Sequence, residues 1–256
     1  MPLDFSANVS PMGVPAGVKR ALYQAVEEVN RYPDPLCRQL RACLGRYHDV
    51  SSAQILCGNG ASDLIDRLVL ALRPKRGMVT APAFSEYAQA LRRVSCQVEE
   101  FPLQRAEDFR VTARILERIT PALDILFLCE PSNPAGQTTD RALLEKILER
   151  CDACGVLLVV DECFEEFLLD RSHSMVSNLT GHHLLILRAF TKFYGLAGVR
   201  LGYCLCQEET LLEQMRLAGQ PWPVSHLAQA AGMAALEETV YGDQLRAWTR
   251  RRRWRA

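Results

Sequence analysis

A lysine, a threonine and an arginine stand close together after an apolar stretch of the chain. Thr191 immediately precedes Lys192, and Arg200 lies eight positions after the lysine. A lysine held in a loop at the end of a strand can form a Schiff base with an aldehyde cofactor. The Thr191 hydroxyl and the Arg200 guanidinium could then bind a phosphate group. Each residue alone is typical of a solvated loop, so the prediction depends on their spacing.

A carboxylate follows the apolar run 156–160, which has the character of a buried strand. In open α/β sheets, ligands bind at the carboxyl ends of the strands. Asp161 could pair there with a protonated pyridine nitrogen and keep the ring cationic, so that the ring accepts electrons from a substrate carbanion. The residues alone leave a second interpretation open, in which Asp161 only caps a turn.

Three further loops also follow predicted strands. Gly60, Ala61 and Ser62 open a predicted helix, whose free amides and dipole favour a phosphate. Phe84 is an aromatic residue on which a planar ring could stack, and Asn133 supplies an amide after the predicted strand 124–129. Each loop alone is a turn of Gly, Pro and Asn. Together they are expected to surround one crevice.

The elements that must position these residues alternate along the chain. Short apolar strands and amphipathic helices predict an α/β fold with a mainly parallel sheet flanked by helices. The predicted strands are 54–57, 78–81, 97–101, 124–129, 156–160, 183–187 and 201–206. The predicted helices are 18–29, 62–72, 85–94, 112–119, 141–153, 208–217, 225–238 and 244–254. Residues 8–17 are expected to form an extended strap.

Composition excludes several classes of partner. The 256 residues carry 30 Lys and Arg against 30 Asp and Glu, so no charge excess favours a nucleic acid or a membrane surface. The longest apolar runs are far shorter than the ~20 residues of a membrane-spanning helix. The first residues lack the pattern of a signal peptide. We therefore expect a cytoplasmic protein whose partners are small molecules and other subunits.

Ten cysteines allow disulfides, a metal site or ordinary buried thiols, and we favour the buried thiols. Cys151 and Cys154 fall in a predicted helix, and Cys204 and Cys206 fall in a predicted strand. Neither pair has a second pair at zinc-binding spacing, and the five histidines form no ligand set. No metal is expected, and a zinc or redox protein is the weaker alternative.

Five motifs together resemble the fold-type I pyridoxal-phosphate enzymes of the aminotransferase class I/II superfamily. They are Gly58-Asn59-Gly60, Phe84-Ser85-Glu86-Tyr87, Asn133-Pro134, Asp161-Glu162, and Thr191-Lys192 with Arg200-Leu201-Gly202-Tyr203. Within that superfamily, five segments resemble the threonine-phosphate decarboxylase branch of cobalamin biosynthesis, a relative of histidinol-phosphate aminotransferase. These segments are Leu3-Asp4-Phe5-Ser6-Ala7-Asn8, Arg31-Tyr32-Pro33-Asp34, Phe127-Leu128-Cys129, Leu187-Arg188 with Thr191-Lys192-Phe193-Tyr194, and Pro221-Trp222-Pro223-Val224-Ser225.

The resemblance implies a role for each candidate residue. Lys192 would form the Schiff base with pyridoxal 5'-phosphate and later move a proton. Asp161 would hold the pyridine nitrogen, Asn133 would bond the ring hydroxyl, and Phe84 would stack on the ring. The phosphate ligands would be Gly60, Ala61, Ser62, Thr191 and Arg200. The substrate contacts would be Ser6 and Asn8, and Tyr32 would reach into the site from the second subunit of a homodimer.

The resemblance also implies a reaction. L-threonine O-3-phosphate would lose CO₂ to give (R)-1-amino-2-propanol O-2-phosphate, and a histidinol-phosphate-type aminotransferase is the alternative. Phe164 favours the decarboxylase branch, because aminotransferase relatives usually carry a tyrosine there. Ala189 departs from the pattern, since relatives carry a Ser or Thr that bonds the phosphate.

The same resemblance divides the chain into three parts. They are an N-terminal arm and helix (1–30), a pyridoxal-phosphate-binding large domain (31–220) and the start of a truncated C-terminal segment (221–256). The C-terminal small domain, which supplies substrate-gripping arginines in relatives, is expected to be missing. An inactive remnant that still binds the cofactor is therefore an alternative of another class.

Overall fold

The computed structural model describes residues 7–253, without the side chains of residues 171, 252 and 253. Among these residues the chain forms one seven-stranded sheet. Its strands are β1 (Ile55–Gly58), β2 (Arg76–Ala81), β3 (Gln97–Pro102), β4 (Ile125–Cys129), β5 (Leu157–Asp161), β6 (Leu184–Ala189) and β7 (Gly202–Cys206). The order across the sheet is β1-β7-β6-β5-β4-β2-β3. The predicted α/β class with a mainly parallel sheet is confirmed.

Eight α-helices accompany the sheet within the described residues. They are α1 (Ala16–Val26), α2 (Arg38–His48), α3 (Ala61–Leu72), α4 (Ser85–Arg93), α5 (Arg141–Cys154), α6 (Glu209–Ala218), α7 (His226–Leu236) and α8 (Thr239–Arg253). Two predictions need correction. The segment predicted as a helix at 112–119 is a short 3₁₀ helix, Ala113–Arg118, and helix α2 has no counterpart among the predicted elements.

The strands separate two hydrophobic cores, one on each face of the sheet. Along β4, Leu126 and Leu128 belong to one core, whereas Ile125 and Phe127 belong to the other. This alternation is the two-residue period of a strand, and apolar residues on both faces fit a sheet covered on both sides. Helices α1, α2, α5, α7 and α8 contribute to the first core, and α3, α4 and α6 contribute to the second.

The loops that carry the predicted site residues meet at one edge of the sheet. β2, β4, β5 and β6 are parallel, and the register pairs Asp161 with Cys129 on β4 and with Leu187 on β6. β7 is antiparallel to both β6 and β1, so β1 runs in the same direction as the parallel strands. The turn between β1 and α3 therefore lies at this edge as well.

The N-terminal arm and the last helix are tied to the Lys192 loop. The Ser10 amide donates to the Lys192 carbonyl oxygen at 2.8 Å. The Tyr241 hydroxyl lies 2.6 Å from the Ser10 hydroxyl and donates to the carbonyl oxygens of Gly13 and Phe193 at 2.8 and 3.2 Å. We call this set of contacts the Tyr241 latch. It joins residues more than 200 positions apart in the sequence to the loop that carries the candidate lysine.

Candidate active site

A cavity opens at the carboxyl edge of the sheet and collects most of the predicted site residues. Its lining is Ala61, Ser62, Phe84, Tyr87, Cys129, Asn133, Asp161, Cys163, Phe164, Ala189, Thr191, Lys192 and Arg200. Eight of the ten residues predicted to bind the cofactor are in this set. Gly60 adjoins it at the start of α3, whereas Tyr32 lies elsewhere.

One end of the cavity is built to receive an anion. No side chain caps α3 at Gly60, so the first amides of the helix are free of helix partners and carry its positive dipole. Gly60 has a φ of +87°, and a Cβ there would lie 2.7 Å from Nη2 of Arg200. A Cβ on Gly202 would lie 2.6 Å from the Ala61 amide nitrogen. Glycine at both positions lets the guanidinium and β7 approach the helix start.

The charges around this end favour a bound anion. Arg200 is exposed and donates a hydrogen bond to the Ala197 carbonyl oxygen at 3.4 Å. No carboxylate within residues 7–253 forms an ion pair with it. Asp63, in the first turn of α3, would repel an anion. Its carboxylate is paired with Arg67, which is 3% exposed, at 2.9 Å. The Asp63 charge is thereby offset, and Arg200 stays available.

The cavity also contains the buried carboxylate of Asp161, which is 5% exposed. Its Oδ2 accepts a hydrogen bond from the Tyr87 hydroxyl at 2.6 Å, and its Oδ1 accepts one from the Cys163 amide at 2.9 Å. Burial, and then the nearby Asp161 charge, raise the pKa of Tyr87 well above its ordinary value, so the hydroxyl stays a neutral donor. No cation forms an ion pair with Asp161 in the described part of the chain.

Lys192 lines the same cavity, half-buried, with its amine facing an aromatic ring. Nζ is 5.8 Å from the centroid of the Phe164 ring. No carboxylate among the described residues forms an ion pair with the ammonium group. Its backbone, in contrast, is fixed by the Ser10 amide. The amine therefore has the freedom that a covalent cofactor attachment requires.

The aromatic side of the cavity is rigidly supported. The Phe84 ring meets the Tyr87 ring edge to face, with centroids 5.5 Å apart. The Tyr87 ring is stacked on Phe127 of β4 at 5.1 Å. Because Phe127 is part of the sheet, Phe84 is supported on a fixed platform. A planar ligand ring could stack against it.

These groups fit pyridoxal 5'-phosphate on their own chemistry. The cofactor needs an amine for its aldehyde, a carboxylate for its pyridine nitrogen, a hydrogen-bonding group for its ring hydroxyl and an anion site for its phosphate. The cavity supplies Lys192 for the aldehyde, Asp161 for the pyridine nitrogen and Asn133 for the ring hydroxyl. Arg200, beside the start of α3, supplies the anion site. The cradle at Gly60, which a Cβ would fill, points to the same anion.

Three lining residues were missed as site residues by sequence reasoning. Tyr87 was part of a recognised motif but had no assigned role, although it lies one helical turn after Phe84. Cys129 ends β4 beside Asp161, and Cys163 follows Asp161 by two positions. Burial raises the pKa of both thiols, and the Asp161 charge adds to that effect. Both therefore stay protonated. All ten cysteines are free thiols.

A buried ion cluster that begins at the residue after Asp161 was also missed. Arg188, which is 2% exposed, contacts Glu162 at 2.5 Å and Glu165 at 2.7 Å. Ser174 donates to Glu162 at 2.9 Å, and the Met175 amide donates to the same carboxylate at 2.6 Å. Because Glu162 follows Asp161 directly, this cluster fixes the end of β5 to β6. Its members are too far apart in sequence to form a recognisable motif.

A second cavity shares a wall with the first. Asn133 and Phe164 line both, and the second also contains Asn8, Pro131, Gly136 and Trp248 of α8. Asn8, predicted to contact the substrate, is exposed there. Ser6, the other predicted substrate contact, lies outside the described residues.

Tyr32 is separate from both cavities. Its side chain is 83% exposed, and its ring lies 4.9 Å from the ring of Trp222. Tyr32 thus presents an aromatic surface outward, and its role at a second subunit stays a prediction.

Within residues 7–253, no group of three or more acidic, His or Cys side chains is arranged to hold a metal ion. None of the helices there has the length and apolar character to cross a membrane.

The comparison with known families agrees with this site. The family model described as aminotransferase class I and II matches residues 1–255. The chain belongs to the aminotransferase class I and II family. This family is pyridoxal-phosphate-dependent.

Individual members of the family show how far the likeness extends. Threonine-phosphate decarboxylase of Salmonella typhimurium is 38% identical over 248 residues, which is 97% of this chain and 68% of the relative. Histidinol-phosphate aminotransferase of Bacillus subtilis is 32% identical, over 93% of this chain and 67% of the relative. The structure of the histidinol-phosphate aminotransferase from Clostridium acetobutylicum superposes with a TM-score of 0.92 at 25% identity, covering 99% of this chain and 75% of that one. The chain spans about two thirds of the length of the curated relatives that it matches.

Proposed function

We propose that this family member is a pyridoxal-phosphate-dependent decarboxylase of L-threonine O-3-phosphate, which releases CO₂ and leaves (R)-1-amino-2-propanol O-2-phosphate. The observation that carries the proposal is the single cavity that brings together Lys192, the buried carboxylate of Asp161, and Arg200 with the start of α3. The 38% identity to the Salmonella typhimurium threonine-phosphate decarboxylase supports the substrate.

The cofactor, when bound, supplies an electron-accepting ring that stabilises negative charge at the α carbon of an amino acid. Lys192 would hold the cofactor through Nζ and, once its amine is free, deliver the proton that replaces the lost carboxylate. Arg200, Ser62, Thr191 and the start of α3 would bind the phosphate. These contacts would fix the ring relative to the lysine, which is the positioning that such chemistry requires.

The other residues hold the ring in its reactive state. Asp161 would keep the pyridine nitrogen protonated, because a buried carboxylate favours a neighbouring cation. Tyr87 and the Cys163 amide orient that carboxylate. Asn133 would bond the ring hydroxyl, and Phe84 would cover one face of the ring and exclude water.

The choice of reaction depends on which bond at the α carbon is held perpendicular to the ring. Phe164 lines the cavity and has no hydroxyl with which to contact the ring. This supports the decarboxylase. The second candidate is a histidinol-phosphate-type aminotransferase, favoured by the 32% identity to the Bacillus subtilis enzyme. That enzyme class would remove a proton from the α carbon and pass it to Lys192.

The proposal includes a homodimer in the cytoplasm. The outward-facing Tyr32 supports a role at the cavity of a second copy. The ten free cysteines fit a reducing compartment. We also keep the division at residues 30 and 220, which places all seven strands in the middle part.

The test is incubation of the purified protein with pyridoxal 5'-phosphate, reduction with borohydride and mapping of the modified peptide. We expect the cofactor on Lys192, no adduct in Lys192→Ala, and an unchanged adduct in Lys146→Ala, which removes an exposed lysine of α5. A wild-type protein without an adduct, or the same adduct in Lys192→Ala, would show that the site is wrong.

The loaded protein is then given L-threonine O-3-phosphate. Release of CO₂ with the aminopropanol phosphate supports the decarboxylase. Transfer of the amino group of histidinol phosphate to a 2-oxo acid would instead support the aminotransferase. An adduct on Lys192 with neither reaction would mean that this chain binds the cofactor without turnover.

A further inference from the structure

A buried glutamate closes the loop that carries Asn133. Glu130 follows β4 directly and is 6% exposed. Its Oε2 accepts a hydrogen bond from the Thr139 amide at 2.9 Å, and its Oε1 accepts one from the Thr139 hydroxyl. We call this pair of bonds the Glu130–Thr139 clasp. It joins the two ends of the loop 131–138 at the edge of the sheet.

The near end of the loop is tied to β4, because the Cys129 thiol donates to the Pro131 carbonyl oxygen at 3.3 Å and accepts a bond from the Asn133 backbone. The remaining bonds of the loop are internal. The Ser132 amide donates to the Gln137 carbonyl oxygen at 2.8 Å, and the Gly136 amide donates to the Ser132 carbonyl oxygen at 2.7 Å. All three residues belong to the loop itself. The clasp, in contrast, connects the far end of the loop to Glu130, the residue directly after β4. The Glu130 amide also donates to the Asp161 carbonyl oxygen at 2.9 Å, so the clasp is anchored to β5.

The position of this loop matters for both cavities. Asn133 lines both of them, and Pro131 and Gly136 form part of the second. A shift of the loop would move the Asn133 amide relative to Asp161 and Lys192. It would also change the shape of the neighbouring cavity where Asn8 is exposed.

The charges around Glu130 are those of the buried ion cluster. Glu162, after β5, faces Glu130 and repels its charge, whereas Arg188 of β6 pairs with Glu162 and Glu165. No described cation forms an ion pair with Glu130. Burial, opposed by the two Thr139 bonds, raises the pKa of Glu130 to about 7. A carboxylate in this position is costly to bury, so its presence calls for a reason other than stability.

We propose that Glu130 is a positioning residue, which through its two hydrogen bonds to Thr139 holds the loop 131–138 and thereby sets the place of Asn133 in the shared wall of the two cavities. The inference rests on the proposed function, because Asn133 is given the contact with the ring hydroxyl. To the residues of the proposed function it adds Glu130, which would contact neither the cofactor nor the substrate.

The experiment compares five variants with the wild type. Glu130→Ala removes both bonds of the clasp, and Thr139→Val removes the bond from the Thr139 hydroxyl. Glu130→Gln keeps an acceptor for the Thr139 amide and a donor for its hydroxyl, and Thr139→Ser keeps the hydroxyl. Glu149→Ala, at an exposed position of α5, is the matched control. Amide hydrogen exchange is measured on the protein without cofactor, and the dissociation constant of pyridoxal 5'-phosphate is measured separately.

We expect amide exchange in the segment 132–139 to rise on the order of tenfold in Glu130→Ala and Thr139→Val, since each loses a hydrogen bond to a buried charged group. Exchange in β4 and β5 should stay at the wild-type rate. Glu130→Gln, Thr139→Ser and Glu149→Ala should resemble the wild type. The dissociation constant of the cofactor should rise on the order of tenfold in the first two variants only.

Unchanged exchange in 132–139 for both Glu130→Ala and Thr139→Val would overturn the proposal. An equal rise throughout β4, β5 and the loop would also overturn it, because that result describes general destabilisation. If the exchange changes as expected but the wild type does not bind pyridoxal 5'-phosphate, the clasp positions the loop and the proposed function is wrong. The two ideas therefore fail in different measurements.

Discussion

Replacing Glu130 by glutamine should make the protein more stable in alkaline solution and leave its stability almost unchanged in acid. The carboxyl is buried, and burial raises its pKa from the ordinary 4.5 to about 7. Between these two values the folded protein holds a proton that the unfolded chain has released. The free energy of unfolding therefore falls as the pH rises through this range, and it stops falling above the folded pKa.

The size of this effect follows from the difference between the two pKa values. The difference of 7 − 4.5 corresponds to about 3 kcal/mol in total, at about 1.4 kcal/mol per unit of pKa. About 2 kcal/mol of it falls between roughly pH 5.5 and roughly pH 8.5. Glutamine does not titrate, so Glu130→Gln should lose about 2 kcal/mol less stability than the wild type over the same interval.

The assay is equilibrium unfolding in urea at a series of pH values. The quantity compared is the difference in the free energy of unfolding between Glu130→Gln and the wild type at each pH, which removes the contributions of groups common to both. Glu149→Gln, on the exposed side of α5, serves as the control. If the two stability curves run parallel from acid to alkali, Glu130 titrates normally and the argument from burial is wrong.

Three further predictions concern neighbouring parts of the molecule. Ala189→Ser should tighten the binding of pyridoxal 5'-phosphate by roughly fivefold, about 1 kcal/mol, because it adds a hydroxyl to the wall of the cavity that Arg200 and the start of α3 also line. A fluorescence titration measures the dissociation constant, and a weaker affinity would contradict the prediction. Arg188→Met should lower the free energy of unfolding by about 3–5 kcal/mol, because two buried glutamates lose their partner; urea unfolding measures this, and a loss below about 1 kcal/mol would contradict it. Tyr241→Phe should lower the free energy of unfolding by about 1–2 kcal/mol. It should also raise amide exchange at Ser10, whose bond to Lys192 the latch supports. A rise in exchange confined to α8 would show that the latch does not act on the N-terminal arm.

The strands and most helices could be predicted because their signals are local. The run 156–160 is apolar on both faces and β5 covers Leu157–Asp161, within one residue of the prediction. Helix α2 was missed because only Leu40, Leu44 and Gly45 are buried among otherwise polar residues, so its apolar pattern is sparse. The segment 113–118 has one buried residue, Ile115, which is too little to support an α-helix.

The candidate site was predictable to the extent that parallel strands end at one edge. Phe84 and Asn133 follow strands and Asp161 ends one, and the sheet brings those strand ends together. The supporting contacts were not predictable in this way. Glu130 binds Thr139 across a loop, and Arg188 binds a glutamate 26 positions away. Such contacts depend on the folded arrangement, and no periodic pattern in the sequence predicts them.

The Tyr241 latch has a consequence for how the chain matures during synthesis. All seven strands are complete at Cys206, so the sheet can assemble while the later residues are still in the ribosome. The loop around Lys192 cannot gain its final contacts until Tyr241 has emerged and met Ser10, which was made more than 200 residues earlier. Contacts of such long range form late because of the entropy of closing the intervening chain. A nascent chain would therefore hold its sheet before it holds its reactive lysine in place, which separates acquisition of the fold from acquisition of cofactor binding.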